Sequence, residues 1–410
     1  MPRFPYEIIL AGGGPAGSAC AAAILRRRPD LAGRVLILER ACHPRDKPCG
    51  GGLTGHVPKA LERLGLRLDV PAVPSPSAQV VCGTLVRRVA MPQPVHIVRR
   101  PELDHSLLKQ AVALGAELRQ DAPLRDFVVE DGGVTVLAGT GPPLRARALV
   151  GAEGAGSLVR KRLGGHRGRP IRLFRAELLA DSPYGDHMVY DFTPMQQGLR
   201  GYLWVFPAPG GRINVGVMHH PGPAAGLSGA ALSALCVQQL RRHGIHVPPG
   251  ALRGWPAWGY DPGMPLSAPH LCLVGDAAGI DALTGEGIAV ALEQGELAAG
   301  ALCEALRKGD LSLSGYSRLL RRAPVGRELA LDRILARLLY GSGSAGGWHR
   351  WLSLLLLDEE LLELYAQRVA GTLVLADQRG RLLRALLRHL PRAGARRAQL
   401  QAALSAADPP

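Results

Sequence analysis

Three glycines near the amino terminus have the spacing Gly12-x-Gly14-x-x-Gly17, within the segment YEIILAGGGPAGSACAAAILRRR. An apolar run precedes them and an alanine-rich stretch follows, so the pattern predicts a strand, a tight turn and a helix. Such a turn lets the backbone approach a pyrophosphate closely, with the helix amino terminus facing the phosphates. The segment therefore predicts a dinucleotide site that includes Pro15 and Ala16.

A second apolar run, RVLIL, is followed directly by Glu39 and Arg40. In dinucleotide-binding folds, an acidic residue about 20 positions beyond the last glycine reaches the ribose hydroxyls. Glu39 occupies this position. We therefore interpret Glu39 and the adjacent Arg40 as candidate cofactor-binding residues.

The kind of dinucleotide is indicated far downstream by the segment HLCLVGDAAGIDALTGEGIAVALEQGELAA. This segment predicts a third strand, a Gly-Asp pair, a glycine-rich turn and a long helix. Together with the first glycine turn, it resembles the FAD-binding fold of the aromatic-hydroxylase and geranylgeranyl-reductase flavoproteins. The resemblance implies that the aspartate binds the ribityl chain and that the turn lines the pyrimidine edge of the flavin. The residues so implied are Gly275, Asp276, Gly285, Glu286, Gly287 and Ile288.

Two further segments match the same families. VRRPELDHSLLKQAVALGAEL is similar to their Arg-x-x-apolar-Asp helix start, which makes Arg100 the arginine near the cofactor and places Asp104 early in a helix. LVGAEGAGSLVRKRLG resembles their Gly-Ala-Asp-Gly segment, but Glu153 replaces the usual aspartate and is one methylene longer. Glu153 and Gly154 are therefore further candidate cofactor-binding residues.

Two stretches indicate the geranylgeranyl reductases within this group. RDKPCGGGLTG is similar to their KPCGG segment, which implies that Cys49, Gly50 and Gly51 lie beside the flavin. GYLWVFPAPGGRINVGVM resembles their Tyr-x-Trp-x-Phe-Pro signature and predicts an antiparallel pair of strands. Alternation puts three aromatic rings on one strand face, where they either wall an apolar substrate cavity or pack in a core. The candidate substrate-binding residues are Tyr202, Trp204, Phe206 and Pro207.

Cys49 is also the candidate catalytic residue. It lies in a glycine-rich loop close in sequence to Arg45 and Lys47, and neighbouring cations lower the pKa of a thiol. Two interpretations stay open. Cys49 either donates a proton or acts as a redox partner, or it only fills space against the ring system.

The resemblance implies an FAD-dependent oxidoreductase. Reduced flavin would pass a hydride to a carbon–carbon double bond of an isoprenoid, geranylgeranyl-type chain or of another apolar substrate. Only the Gly-x-Gly-x-x-Gly pattern at Gly12 follows a predicted strand and opens a predicted helix. The external electron donor is therefore expected to be transiently docked NAD(P)H, or ferredoxin. Three alternatives stay open: an FAD-dependent monooxygenase or halogenase of a hydrophobic or aromatic substrate, a flavoprotein carotenoid (lycopene) cyclase, and a lipid-binding flavoprotein without turnover.

Composition limits the other classes of function. The 410 residues suffice for two domains, and 47% hydrophobic residues exclude a largely disordered chain. Seven cysteines without CxxC spacing, and no secretory signal, indicate a reducing cytoplasm. Aromatic residues make up only 4%, and no nucleic-acid-binding motif is present, so nucleic acid is not an expected partner. No HExxH motif or Cys/His cluster indicates a metal, and Gly-x-Ser-x-Gly and Walker motifs are missing.

The basic carboxyl-terminal segment leaves a membrane contact open. No stretch approaches the ~18 apolar residues of a membrane span. The net charge of +15 comes almost wholly from arginine, and from Arg379 to Arg397 arginines are interspersed with leucines. This segment is either a solvated end helix or a peripheral contact with an anionic membrane surface. WHRWLSLLLLDEELLELYAQRVAGTLVLA, just before it, either caps an apolar tunnel or rests at an interface.

These elements predict an α/β protein with a Rossmann-like FAD-binding domain of the para-hydroxybenzoate-hydroxylase type. An interleaved antiparallel sheet forms the substrate domain, and a helical region ends the chain. The assigned ranges are 1–72, 101–165 and 265–320 for the FAD-binding domain, 73–100 and 166–264 for the substrate-binding β domain, and 321–410 for the C-terminal helical region. PAVPSPSAQ, at 71–79, is the expected crossing linker, and HHPGPAAGLSG, at 219–229, is an expected loop.

Overall fold

The computed structural model describes residues 4–165, 168–222, 227–341 and 347–406. The strands in chain order are β1 (Tyr6–Ala11), β2 (Val35–Leu38), β3 (Gly52–Leu53), β4 (Ala72–Cys82), β5 (Leu85–Val98), β6 (Glu117–Arg119), β7 (Leu124–Glu130), β8 (Gly133–Ala138), β9 (Leu144–Gly151), β10 (Ile171–Leu179), β11 (Met188–Asp191), β12 (Gly201–Ala208), β13 (Arg212–His219), β14 (Arg253–Ala257), β15 (Ser267–Ala268) and β16 (Leu271–Leu273). The α-helices are α1 (Pro15–Arg27), α2 (His56–Leu64), α3 (Arg100–Ala113), α4 (Leu158–Arg162), α5 (Gly229–Arg242), α6 (Ile288–Lys308), α7 (Tyr316–Arg322), α8 (Pro324–Tyr340), α9 (Gly347–Leu357), α10 (Glu359–Val369), α11 (Arg379–His389) and α12 (Ala393–Ser405).

The first sheet has a parallel centre that places the glycine turn. Its main path is β15-β16-β9-β1-β2-β6, and the β7–β8 hairpin joins through β9. Strands β1, β2, β9 and β16 run parallel, and their residues are buried apart from three half-buried residues in the first half of β9, Leu144, Arg145 and Arg147. Helix α1 packs against both α3 and α6. Because parallel strands bring their carboxyl ends to one edge, the segments after these four strands meet there.

The second sheet has the order β14-β10-β13-β12-β11-β4-β5-β3. All its neighbours are antiparallel except β11 and β4. The predicted antiparallel pair is confirmed as β12 and β13, which pair from Gly201–His219 to Ala208–Arg212. Alternation along β12 turns Leu203 and Val205 into a cluster that includes residues of α5, and turns the aromatic residues to the opposite face.

The linker predicted at 71–79 is wrong, because most of these residues belong to β4. Strand β4 pairs with β5 along its length and with β11 only over residues 78–81. Its register with β5 shifts between Ser75 and Ser77, which releases Pro76 from the ladder. Pro74 lies in the part of β4 that β11 does not reach, so its missing N–H costs no hydrogen bond on that side. In the loop expected at 219–229, residues 223–226 lie outside the described residues.

The described part of the C-terminal region is mainly helical, as predicted, and contains α8 to α12. Together with the two sheets, it confirms the predicted α/β class with a terminal helical region. None of the helices in the described residues is both long enough and apolar enough to cross a bilayer.

Candidate functional site

The glycine turn joins β1 to α1 and touches the loop that follows β9. Gly12 has a φ of +118°, and a Cβ atom there would lie 2.2 Å from the carbonyl oxygen of Ala152. A Cβ atom on Gly17 would lie 1.9 Å from the carbonyl oxygen of Gly12. Contacts within the protein therefore require both glycines. A Cβ atom on Gly14 would meet only Nη2 of Arg45, at 3.4 Å, so the space at this helix start is open to a ligand.

Glu39 follows β2 and is buried close to the glycine turn. Its Oε2 accepts a hydrogen bond from the Gly13 N–H at 2.8 Å, and its Oε1 accepts one from the Ala41 N–H at 3.1 Å. Nε of Arg45 lies 3.6 Å from Oε1. Burial raises the pKa of Glu39, but His43, Arg45 and the two amides together lower it to about 2. Glu39 is therefore ionised at neutral pH, as a carboxylate that accepts hydrogen bonds from ribose hydroxyls should be.

Arg100 begins α3, as predicted, and forms a buried ion pair with Asp104. Its Nε and Nη2 donate to the two carboxylate oxygens at 2.7 and 2.8 Å. Arg45 donates to the same carboxylate at 3.0 Å. Burial acts to lower the pKa of Arg100, but Asp104 and the neighbouring Cys49 raise it above its usual value. Asp104 therefore fixes a guanidinium beside the Cys49 thiol.

Cys49 is half-buried and lines the cavity described below. Its Sγ accepts a weak hydrogen bond from the Gly51 N–H at 3.4 Å, and its carbonyl oxygen accepts one from Nδ2 of Asn214 at 2.7 Å. A Cβ atom on Gly50 would lie 2.9 Å from the Phe206 ring. The loop thus packs directly on the aromatic face of β12.

Asp276 follows β16 and forms an ion pair with Lys47. Nζ of Lys47 lies 2.6 Å from Oδ2 of Asp276. Burial raises the pKa of Asp276, but Lys47 outweighs it, and the pKa falls below its usual value. The N–H of Gly275 donates to Oε1 of Gln294 at 2.7 Å, and a Cβ atom on Gly275 would lie 2.7 Å from that of Ala16. These contacts fix the Gly-Asp pair against the start of α1.

The glycine-rich turn before α6 lies next to Asp276. Gly285 has a φ of +76°, and Gly287 is the N-cap of α6 without a side-chain cap. Between them, Glu286 accepts a hydrogen bond from the Thr54 hydroxyl, and burial raises its pKa. Ile288 is buried and begins the helix.

Two predicted cofactor residues direct their side chains to protein partners. The Arg40 guanidinium lies over the Trp255 ring, 5.5 Å from its centroid. Glu153 accepts a hydrogen bond from the Ser157 hydroxyl at 2.7 Å and others from the first amides of α4. Burial raises the pKa of Glu153 against these hydrogen bonds. The Glu153 side chain is thus engaged by α4, and its contact with the cofactor stays a prediction. A Cβ atom on Gly154 would meet nothing within 4 Å, so the backbone there is open to a ligand.

An apolar cavity of about 220 Å³ adjoins these groups. Tyr202, Trp204 and Phe206 line it, and all three are also buried in one aromatic cluster. The rings therefore both border a cavity and pack in a core, and their contact with substrate stays a prediction. Pro207 is the exception among the candidates. By alternation it lies on the other face of β12, and it does not line the cavity. The charged residues along the cavity are Lys47, Arg100, Arg175, Asp276 and Glu286.

Much of the cavity wall comes from residues outside the predicted site. No sequence signal indicated Tyr190, Phe192, Trp255, Leu339 and Tyr340. The others, Leu355, Leu356, Leu362, Tyr365 and Val369, lie in the segment 348–376 that was expected to cap an apolar tunnel or rest at an interface. The Tyr340 hydroxyl donates to the carbonyl of Leu283 at 3.1 Å, and the Tyr202 hydroxyl donates to the carbonyl of Thr284. The leucine-rich segment that contains α9 was the available sequence signal for this wall. Leu355 and Leu356 of α9 line the cavity, which agrees with the expectation that the segment caps an apolar tunnel.

We expect Trp204→Ala to destabilise the fold as well as widen the cavity. The side chain is 3% exposed, its Nε1 donates to Asn214 at 3.0 Å, and its ring packs on Gly216. Truncating a buried tryptophan costs about 3–5 kcal/mol, and the lower end applies because this ring already borders a cavity. Urea unfolding measures the loss, with Trp204→Phe as the conservative control. An unchanged free energy of unfolding in Trp204→Ala would contradict this packing role.

The residues present fit a flavin dinucleotide. Helices α1 and α6 pack together, and their N-cap residues, Gly14 and Gly287, supply no side-chain cap. Uncapped helix amino termini attract phosphate groups. The open space at Gly14, the ionised Glu39 and the Asp276 carboxylate are the groups that would hold the pyrophosphate, ribose and ribityl parts of FAD.

Comparison with known proteins agrees with this geometry. Residues 5–329 match the family described as FAD binding domain. Menaquinone reductase of Mycolicibacterium smegmatis is 31% identical over 366 residues, which cover 82% of this chain and 87% of that protein. Digeranylgeranylglycerophospholipid reductase 1 of Methanopyrus kandleri is 28% identical over 339 residues, covering 76% of this chain and 84% of that protein.

Solved structures show the same fold. A geranylgeranyl bacteriochlorophyll reductase-like protein from Thermoplasma acidophilum has a TM-score of 0.69 at 21% identity, covering 96% of this chain and 99% of that one. Halogenase PltM has a TM-score of 0.69 at 17% identity, covering 98% and 96%. The family match spans most of the chain and carries the assignment. The chain therefore belongs to the FAD-binding-domain flavoproteins, as an FAD-dependent oxidoreductase related to the geranylgeranyl reductases.

Proposed function

We propose that the protein reduces carbon–carbon double bonds in the isoprenoid chain of a lipid-type substrate, such as a quinone with a polyprenyl tail. The proposal rests on the separation of charged residues from apolar residues along the cavity wall. Of its charged residues, four lie in the loops and at the helix start near the glycine turns and the fifth, Arg175, lies on β10, whereas most of the remaining wall is aromatic and aliphatic. Such a wall excludes water and accommodates a hydrocarbon chain. The names of the menaquinone and digeranylgeranylglycerophospholipid reductases support the same substrate class.

When bound at this site and reduced, FAD would supply the hydride for one carbon of the double bond. The protein positions the chain between the aromatic face of β12 and the leucines of α9, and it supplies a proton to the other carbon. The Cys49 thiol, held by Arg100 and the Gly51 N–H, is the proposed proton donor. NAD(P)H or ferredoxin remains the proposed external electron donor, and rates of flavin reduction with NADH, NADPH and reduced ferredoxin compare the three.

Product mass tests the proposal against its alternatives. The FAD-loaded protein is reduced anaerobically with dithionite and mixed with menaquinone or geranylgeranyl lipids, and the products are analysed by mass spectrometry. Each reduced double bond adds two hydrogens. Addition of oxygen or halogen under air would instead identify the monooxygenase or halogenase alternative, and a cyclic product of unchanged mass the cyclase. Bound FAD without any product from these lipids would refute the proposal.

The role of Cys49 is tested by Cys49→Ser and Cys49→Ala. If its thiol donates the proton, both variants should retain FAD and accept electrons from dithionite. They should reduce the double bond at least about tenfold more slowly, equal to about 1.4 kcal/mol in the barrier. Cys42→Ser is the matched control, because Cys42 is exposed and its thiol donates to Asp121. Wild-type rates in both Cys49 variants would show that this residue does not donate the proton and only fills space.

A further inference from the structure

Helix α11 presents an apolar stripe to solvent. Leu383, Leu387 and Leu390, the last at its carboxyl end, are 56%, 55% and 44% exposed. Their spacing of four and three residues places them on one face of the helix. Ala385 and His389 on the opposite face are buried. The helix therefore packs on the protein through that other face and leaves the three leucines uncovered.

Unpaired arginines surround this stripe. Arg379 and Arg384 lie on α11, and Arg392 follows Leu390 by two positions; all three are exposed. Within the ranges that the structure describes, no carboxylate forms an ion pair with any of them. A membrane interface has a layer of anionic headgroups and a layer of acyl chains. The three arginines suit the headgroups, and the exposed leucines beside them suit the acyl chains.

Helix α11 is also fastened to the wall of the apolar cavity. Glu360 of α10 accepts hydrogen bonds from Arg381 at 3.0 Å and from Arg388 at 2.6 Å. Helix α10 contributes to the cavity wall through Leu362, Tyr365 and Val369. A surface held by α11 would therefore lie next to the part of the protein that encloses an apolar chain.

We propose that the α11 face docks on the surface of a bilayer that contains anionic lipids. The α11 face consists of Leu383, Leu387, Leu390, Arg379, Arg384 and Arg392. The leucines enter the headgroup boundary while the arginines contact lipid phosphates. The net charge of +15 adds attraction at longer range. This docking goes beyond the reaction proposed above and does not depend on which substrate is reduced.

Vesicle cosedimentation of the full-length, FAD-loaded protein tests the docking. The wild-type protein should bind vesicles of phosphatidylglycerol and phosphatidylcholine, and it should bind less at high salt, which screens exposed charges. Leu383→Ser/Leu387→Ser/Leu390→Ser should weaken the partition coefficient about tenfold or more, because the inserted apolar area is lost. Arg379→Glu/Arg384→Glu should weaken it by a similar factor.

Matched variants elsewhere on the surface serve as controls. Leu179→Ser changes a leucine that is 76% exposed on β10, and Arg67→Glu/Arg241→Glu makes the same change in net charge at other exposed positions. Both should bind vesicles like the wild type, and flavin content and melting temperature show that every variant is folded. Failure of the wild type to bind, or equal losses in the controls, would overturn the proposal. A dimer that the triple leucine variant abolishes in the absence of lipid would also overturn it, by identifying the α11 face as a contact between two copies.

Discussion

Gly14→Val should give a folded protein that no longer retains FAD. The backbone at Gly14 has φ −75° and ψ −176°, an extended conformation that valine adopts readily. In the protein itself, the nearest atom to a Cβ there is Nη2 of Arg45, at 3.4 Å. The valine methyl groups would instead fill the space at the start of α1 where the pyrophosphate approaches. We expect the flavin absorbance per mole of purified protein to fall by more than about tenfold, a loss above about 1.4 kcal/mol in binding.

Variants at two other glycines serve as controls for this experiment. Gly300→Val places its Cβ where no atom lies within 4 Å, on the long helix α6, and it should keep both fold and flavin. Gly17→Val places its Cβ 1.9 Å from the Gly12 carbonyl oxygen, and we expect it not to fold. Full flavin content in Gly14→Val, at a normal melting temperature, would show that the phosphates do not lie at this turn.

Arg368→Met should lower the free energy of unfolding by about 3–5 kcal/mol, because it removes the cation of a buried cluster of carboxylates. The Arg368 side chain is 6% exposed, its Nη2 donates to Oδ2 of Asp332 at 2.6 Å, and its Nε lies 2.9 Å from Oε2 of Glu328. Methionine keeps much of the volume but leaves both carboxylates uncompensated. Urea unfolding measures the loss, and a change below about 1 kcal/mol would contradict the pairing, since that is the range of an exposed ion pair.

The same cluster predicts a pH dependence. Burial raises the pKa of Asp332 well above its usual value, against the opposing effect of Arg368. The folded state therefore keeps a proton that the unfolded state releases, so stability falls as the pH rises from the ordinary aspartate pKa through the folded one. Without Arg368 the pKa should rise further and the fall should extend to higher pH. Arg368→Met/Asp332→Asn should regain part of the lost stability at neutral pH, and the absence of any recovery would assign the loss to packing.

Features that depend on short segments were predictable. The turn from Gly12 to Gly17, the Gly275-Asp276 pair after a buried strand and the helix start at Arg100 each depend on residues adjacent in sequence. The linker predicted at 71–79 failed because prolines signal only local irregularity. Strand β4 exists because β5 and the distant β11 supply its hydrogen-bond partners.

Local sequence was sufficient to identify the family, through the resemblance of its motifs, and the α/β class, because glycine turns and apolar runs specify backbone shape locally. How side chains of distant segments combine depends instead on tertiary packing. Asn214 binds the carbonyl of Cys49 across a separation of 165 residues and accepts the indole N–H of Trp204, so the aromatic face and the thiol loop form one unit. Helices α8 to α10 close the cavity from the far end of the chain. These contacts join residues whose spacing along the chain carries no periodic signal, so packing alone selects them.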